Sequence, residues 1–136
     1  MKNNEVLREF GNHIGVKNMS FDIKGSCSLM IGKESVIIIN NIQDTSLMLS
    51  CIVGAISQEQ IKDSTTALKL LSLNMLFASQ NGPYVGYEPN NKALMISVTH
   101  HREEMTPLVF ESQINHLIRN KEKVKTVLEE RGVLLN

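Results

Sequence analysis

The sequence predicts an α+β fold in which helices cover an antiparallel sheet, in the order α-β-β-β-α-β-β-α. Short apolar segments with the period of strands are interspersed with longer segments in which apolar residues recur every three to four positions. The connections between the first three predicted strands are only a few residues long, which favours antiparallel neighbours. With 136 residues, 42% of them hydrophobic, the chain is long enough for one domain over residues 1–136 with its own core.

A short first helix is predicted over residues 4–14, where Leu7, Phe10 and Ile14 fall on one face and Gly15 can end the helix. Three strands follow. Cys27, Leu29 and Ile31 alternate with other residues in the first, and Leu47, Leu49, Cys51 and Val53 alternate in the third. The second, residues 36–39, is apolar at every position, so we expect a central strand covered on both faces.

The second helix is predicted from Ser57 to about Ser79 as one element. Ser57 and Gln60 have the spacing of a capping box, in which each side chain satisfies a free backbone N–H of the other. The later half of this helix is apolar nearly all round. One face can pack on the sheet, and we expect the other to be covered by a second chain, although burial entirely by this chain's own elements is the alternative.

A hairpin is predicted next, with strands at 84–87 and 94–98. The last helix should start at Thr106-Pro107, an N-cap followed by a proline, and end at Gly132. Its apolar stripe consists of Phe110, Ile114, Leu117, Val124 and Leu128. The basic cluster in the same helix, formed by Arg119, Lys121, Lys123 and Lys125, is interpreted as a solvated face.

Charge and composition argue against several classes of partner. Lys plus Arg and Asp plus Glu number 14 each, which gives no broad electrostatic surface for nucleic acid. No apolar run reaches the length of a membrane span, and the first residues lack the apolar core of a signal peptide, so we expect no membrane insertion. Cys27 and Cys51 have no metal-ligand spacing and are expected to be reduced thiols in the cytosol.

The sequence offers little for catalysis. His100, His101, Arg102, Glu103 and Glu104 form one polar cluster, but adjacent side chains at a strand end point to opposite faces. We therefore expect a polar loop, with no metal, no cofactor and no enzymatic activity. A small enzyme or ligand-binding protein that uses His100, His101 and Glu103 is the alternative.

Two stretches resemble a known family. The first helix reads L-R-E-F-G-N-H-I-G from Leu7, and the second ends L-N-M-L-F from Leu73. Together with the element order, these make residues 4–131 similar to the class I chaperones of bacterial type III secretion, the Tir chaperone (CesT-type) family. The resemblance implies a cytoplasmic bacterial homodimer. It would hold the N-terminal segment of a secreted effector, its client, in an extended, non-globular form that is competent for export, without ATP.

The resemblance also implies sites. By position, the dimer interface would lie in the second helix and include Leu70, Leu73, Met75 and Phe77. A client strand would add to an exposed sheet edge, and its apolar side chains would enter a groove formed by Leu7, Phe10 and Ile14 with Leu29 and Ile31. For each of these groove residues, ordinary core packing is the alternative. Family members are typically acidic, whereas this chain has a formal net charge of +0. A regulatory or stress-related dimeric module of the same fold, binding folded partners, is the alternative function.

Overall fold

The computed structural model describes residues 2–135 and contains four α-helices and five strands within them. They are α1 (Asn3–Ile14), β1 (Ser26–Ile31), β2 (Ser35–Ile42), β3 (Ser46–Ala55), α2 (Gln58–Lys62), α3 (Ser64–Ala78), β4 (Tyr84–Glu88), β5 (Ala93–His101) and α4 (Pro107–Glu130). The strands form one sheet in the order β1-β2-β3-β5-β4. The β1–β2 and β4–β5 pairs are antiparallel. The α+β class and the predicted element order are confirmed.

Two compact units can be distinguished by their internal contacts. Unit 1 comprises residues 1–50 and 98–116, and unit 2 comprises residues 51–97 and 117–136. The core of unit 1 includes Phe10 and Phe110, whose rings stack with centroids 4.6 Å apart. The core of unit 2 includes Leu73, Phe77 and Leu94. That residues 1–136 form a single domain stays a prediction.

Helix α1 ends where the sequence predicts. Gly15 has φ +83°, a left-handed conformation that favours glycine, and Val16 N–H donates to the Gly11 carbonyl at 2.8 Å. The chain then folds back closely over the helix. A Cβ added at Gly11 would lie 2.7 Å from the Val16 carbonyl oxygen and 2.8 Å from Met19 Cβ. In the F-G-x-x-I-G motif, Gly15 therefore allows the turn that ends the helix, and Gly11 allows the following chain to pack closely against the helix.

Strand β2 corrects one expectation. Ser35, Ile37 and Ile39 are buried, but Val36 and Ile38, on the other face, are only half-buried. The expected full cover on both faces is therefore wrong for one of them. A strand is buried at every position only if other elements pack on both of its faces. An apolar run alone does not show that both faces are packed.

The predicted second helix is interrupted, which is a second correction. Asp63 is extended (φ −72°, ψ 119°) and separates α2 from α3, and its Oδ1 accepts a hydrogen bond from Thr65 N–H at 3.0 Å. The run Asp63-Ser64-Thr65-Thr66 explains the break, because such side chains compete with helical hydrogen bonds and favour caps.

The capping box at the start of α2 is half correct. Ser57 Oγ accepts from Gln60 N–H at 3.2 Å. The Gln60 side chain does not return to Ser57. Its Nε2 donates to the Leu134 carbonyl at 2.7 Å, and its Oε1 accepts from Leu134 N–H at 2.9 Å. Gln60 therefore fastens the C-terminal segment to α2 within unit 2.

Helix α4 follows its predicted signals. Thr106 Oγ1 accepts from Val109 N–H at 3.3 Å, and Gly132, with φ +77°, lies in the turn that follows the helix. All five residues of the predicted apolar stripe are buried. The interpretation of the basic cluster as solvated is wrong at Lys121, which is only 3% exposed. Lys121 is four residues after Leu117 and three before Val124, and thus lies on the apolar stripe, where its aliphatic stem can pack.

Candidate protein-binding surfaces

One face of α3 is apolar and exposed. Leu70, Leu73 and Phe77 are buried in unit 2, and the remaining large apolar side chains point outward. The outward residues are Leu68 (66% exposed), Leu71 (62%), Met75 (76%) and Leu76 (42%). Successive large side chains of this kind on one helix face are unusual on a protein surface that has no partner. We name these four residues the outer α3 face.

The residues predicted for the dimer interface divide between the two sides of α3. Met75 belongs to the outer α3 face, whereas Leu70, Leu73 and Phe77 pack inside unit 2. Leu68 and Leu71 were missed. A helix that is apolar nearly all round has no periodicity that separates core from surface, so only tertiary packing could identify them.

A cavity of about 270 Å³ lies between α3 and the β4–β5 hairpin. Leu70, Leu71, Tyr87 and Leu94 contribute apolar walls. Asn74 is the polar member, and its amide is bonded to the backbone of β4: Oδ1 accepts from Val85 N–H at 2.6 Å, and Nδ2 donates to the Val85 carbonyl at 3.2 Å. Helix α3 is thus attached to the outer side of an edge strand.

The residues predicted for a client groove are only partly accessible. Leu7 and Phe10 are buried in the core of unit 1. Ile14 is exposed, and Leu29 and Ile31 are half-buried on one face of β1. The structure therefore brings three of the five residues to the surface in this conformation. A client-binding role for any of the five stays a prediction.

The outer edge of β1 is partly covered by the preceding loop. Ser26 N–H donates to Asp22 Oδ1 at 2.9 Å, and the Ser26 carbonyl accepts from Asp22 N–H at 2.8 Å. Both backbone groups of Ser26 therefore point away from β2. Because the bonding side alternates along an antiparallel strand, the groups of Ser28 and Met30 point outward too. Among residues 2–135, no protein group bonds these outward groups of Ser28 and Met30, and both residues are exposed.

Both cysteines are protected as thiols. Burial, and secondarily the nearby Asp22 carboxylate, raises the pKa of Cys27 on β1. Burial raises the pKa of Cys51 on β3, and the charges of Lys121 and Lys125 act against it. A raised pKa leaves less thiolate, which is the reactive form, so neither site favours nucleophilic chemistry.

The histidine cluster is engaged by protein groups. His100 Nδ1 lies 3.4 Å from Glu104 Oε2, and its Nε2 lies 3.1 Å from Gln113 Oε1. His101 Nδ1 accepts from Glu103 N–H at 3.3 Å. Over the part of the chain described, no three His, Cys, Asp or Glu side chains form a group that could hold a metal ion. Within the same residues, no helix has the length and apolarity of a membrane span.

Comparisons with known proteins agree on one family and one fold. The model of the Tir chaperone protein (CesT) family matches residues 5–125. The chain is 27% identical over 130 residues to the Tir chaperone of Escherichia coli O157:H7, which covers 96% of this chain and 81% of that protein. Two solved structures share the fold. A chain of the ExsC–ExsE complex has a TM-score of 0.69 at 18% identity, over 88% of this chain and 87% of that chain. A chain of the heterodimeric ExoU–SpcU complex of the Pseudomonas aeruginosa type III secretion system has a TM-score of 0.64 at 11% identity, over 94% and 98%.

Proposed function

The chain belongs to the Tir chaperone protein (CesT) family of type III secretion chaperones, and we propose that it binds the N-terminal segment of a secreted effector. In this role it keeps the segment non-globular, soluble and competent for export. The observation that carries the proposal is the open edge of β1 at Ser28 and Met30, next to the half-buried apolar side chains of Leu29 and Ile31.

The β1 edge suits an extended segment and not a folded one. Ser28 and Met30 each present one N–H and one carbonyl outward, so an added antiparallel strand can make up to four backbone hydrogen bonds. Each contributes about 0.5–1.5 kcal/mol net. Since a client residue must have extended backbone to make them, binding itself opposes premature folding, and no ATP or cofactor is needed.

Apolar contacts supply the rest of the affinity. Side chains of an added strand alternate between the two faces of the sheet, so every second client residue lies beside Leu29 and Ile31. Because the chain has a net charge of +0, overall electrostatic attraction contributes little, and local apolar and backbone contacts select the client.

A second copy of the chain is the proposed partner of the outer α3 face. Four neighbouring apolar residues that remain outside the core of unit 2 are suited to a self-complementary interface across a two-fold axis. The resulting homodimer would work in the bacterial cytoplasm, where clients are held before export, and would have no enzymatic activity.

The proposal is tested by co-expressing the chain with secreted proteins from the same cell and measuring the mass of the purified complex by size-exclusion chromatography with light scattering. We expect a dimer that carries one client, whose N-terminal segment resists protease only when bound. A chain that retains no client from any secreted protein contradicts the proposal.

A matched pair of variants tests the β1 edge itself. Met30→Pro removes the outward N–H at a position where an edge strand tolerates proline, and Met30→Val keeps the N–H. The proline variant should lose client affinity while the valine variant retains it. Equal affinity of the two variants contradicts strand addition at β1.

A further inference from the structure

Asn74 occupies the outer edge of β4, the strand at the opposite end of the sheet order from β1. Its side chain accepts from Val85 N–H at 2.6 Å and donates to the Val85 carbonyl at 3.2 Å. A carboxamide offers one acceptor and one donor side by side, as a peptide unit does. Asn74 therefore makes the two hydrogen bonds that a residue of an added strand would make with Val85.

The register of β4 shows how many backbone positions on its outer edge could still bond an added strand. Val85 lies opposite Ile96 of β5, and its backbone groups point outward to Asn74. By alternation, Tyr84, Gly86 and Glu88 bond β5, so Val85 and Tyr87 are the outward-facing positions of this five-residue strand. With Val85 occupied, one outward position remains.

The β1 edge keeps more uncovered backbone positions than the β4 edge. Asp22 covers Ser26 alone, and two consecutive outward positions, Ser28 and Met30, stay open. Two positions two residues apart fix the register and direction of an added strand, whereas one isolated position fixes neither. The difference between the edges therefore depends on whether Val85 is covered.

The sequence context of Asn74 supports a role at the edge. It interrupts the apolar run Leu73-Asn74-Met75-Leu76-Phe77 in the interior of α3, where asparagine is a poor helix former. Its amide bonds the backbone of β4 and no group of its own helix. Proteins commonly protect exposed sheet edges by covering them, and here Asn74 supplies the hydrogen bonds by which α3 covers β4.

We propose that Asn74 closes the β4 edge to strand addition and so confines an extended client segment to the β1 edge. Asn74 is a specificity-determining residue that contacts no client: it removes a competing site. This inference rests on the proposed client docking at β1.

The test uses isotope-labelled chain and a short synthetic peptide of alternating valine and threonine, with terminal lysines and a nitroxide label. Paramagnetic broadening of backbone amide signals reports which edge the peptide pairs with. Asn74→Ala removes both bonds and favours the helix, so the variant should fold. Asn74→Asp keeps the acceptor for Val85 N–H and loses the donor. Ser79→Ala, which removes only a local bond to the Leu76 carbonyl, is the control at the C-terminal cap of the same helix.

In the unmodified chain and the Ser79 control we expect broadening at residues 26–31 and none at 84–88. Asn74→Ala should add broadening at 84–88, and Asn74→Asp should add less. Amide hydrogen exchange at Val85 should be faster by roughly tenfold in Asn74→Ala, as for the loss of one to two hydrogen bonds.

The outcomes separate the inference from the proposed function. If the peptide broadens β1 signals but no β4 signals in Asn74→Ala, the inference is overturned, whereas client docking at β1 still holds. Broadening only at β4 of the variant refutes docking at β1, and with it the confinement of the client to that edge, although it shows that Asn74 closes the β4 edge. A peptide that broadens neither edge in any protein overturns both, as does equal broadening of both edges in the unmodified chain.

Discussion

Replacing Leu71 by aspartate should weaken self-association of the chain without unfolding it. Leu71 is 62% exposed on the outer α3 face, beside Leu68 and Met75. Fully burying a leucine stabilises by about 1.5–3 kcal/mol, so covering the exposed part of Leu71 contributes about 1–2 kcal/mol per protomer. In a symmetric dimer Leu71 contributes to the interface from both protomers. The free energy of dimerisation should therefore fall by about 2–4 kcal/mol, which raises the dissociation constant roughly 30- to 900-fold. An interfacial carboxylate without a partner adds to this loss.

Sedimentation equilibrium of the purified variant measures this effect, and urea unfolding shows that the fold is retained. Leu108→Asp is the matched control, because Leu108 is 69% exposed but lies in the first turn of α4, where an acidic residue suits the helix dipole. The control should dimerise as the unmodified chain does. If Leu71→Asp and Leu108→Asp dimerise with the same affinity, the outer α3 face is not the interface.

Three further predictions concern stability and chemistry. Gly11→Ala should destabilise the chain by about 1–3 kcal/mol in urea unfolding, because its Cβ would meet Met19, and unchanged stability would contradict that close approach. Asp63→Ala should cost about 0.5–2 kcal/mol by removing the cap of α3, measured in the same way; a gain in stability would show that the break is not maintained by the cap. Asp22→Asn should lower the pKa of Cys27 towards its usual value, because a neighbouring negative charge raises it, and an ultraviolet titration of the thiolate that does not move refutes this.

Local signals predicted much of the fold. The ends of α4 follow from Thr106 and Gly132, and the end of α1 follows from Gly15, because caps depend on residues within a few positions. The break at Asp63 is also a local signal. The apolar residues that follow Asp63 predict a continuous helix, and in the structure the capping residues prevail over that pattern.

Tertiary packing decided the features that local rules could not. Nothing in the sequence indicates that Leu71 faces outward and Leu73 inward, since both lie in one apolar run. Lys121 is buried although its charge suggests exposure, because it lies on the apolar stripe of α4, where its aliphatic stem can pack. The link between Asn74 and Val85 joins residues on either side of a loop, and no spacing rule connects them.

Hydrogen exchange of the chain with and without a bound client tests client docking most directly. An effector segment isolated by co-expression is added back, and exchange is followed by mass spectrometry along the chain. We expect slower exchange at Ser28 and Met30, whose outward N–H groups become bonded, and no change at Val85, which Asn74 already covers. Unchanged exchange over residues 26–31, with protection elsewhere, would contradict strand addition at β1 as the way in which this chaperone holds its client.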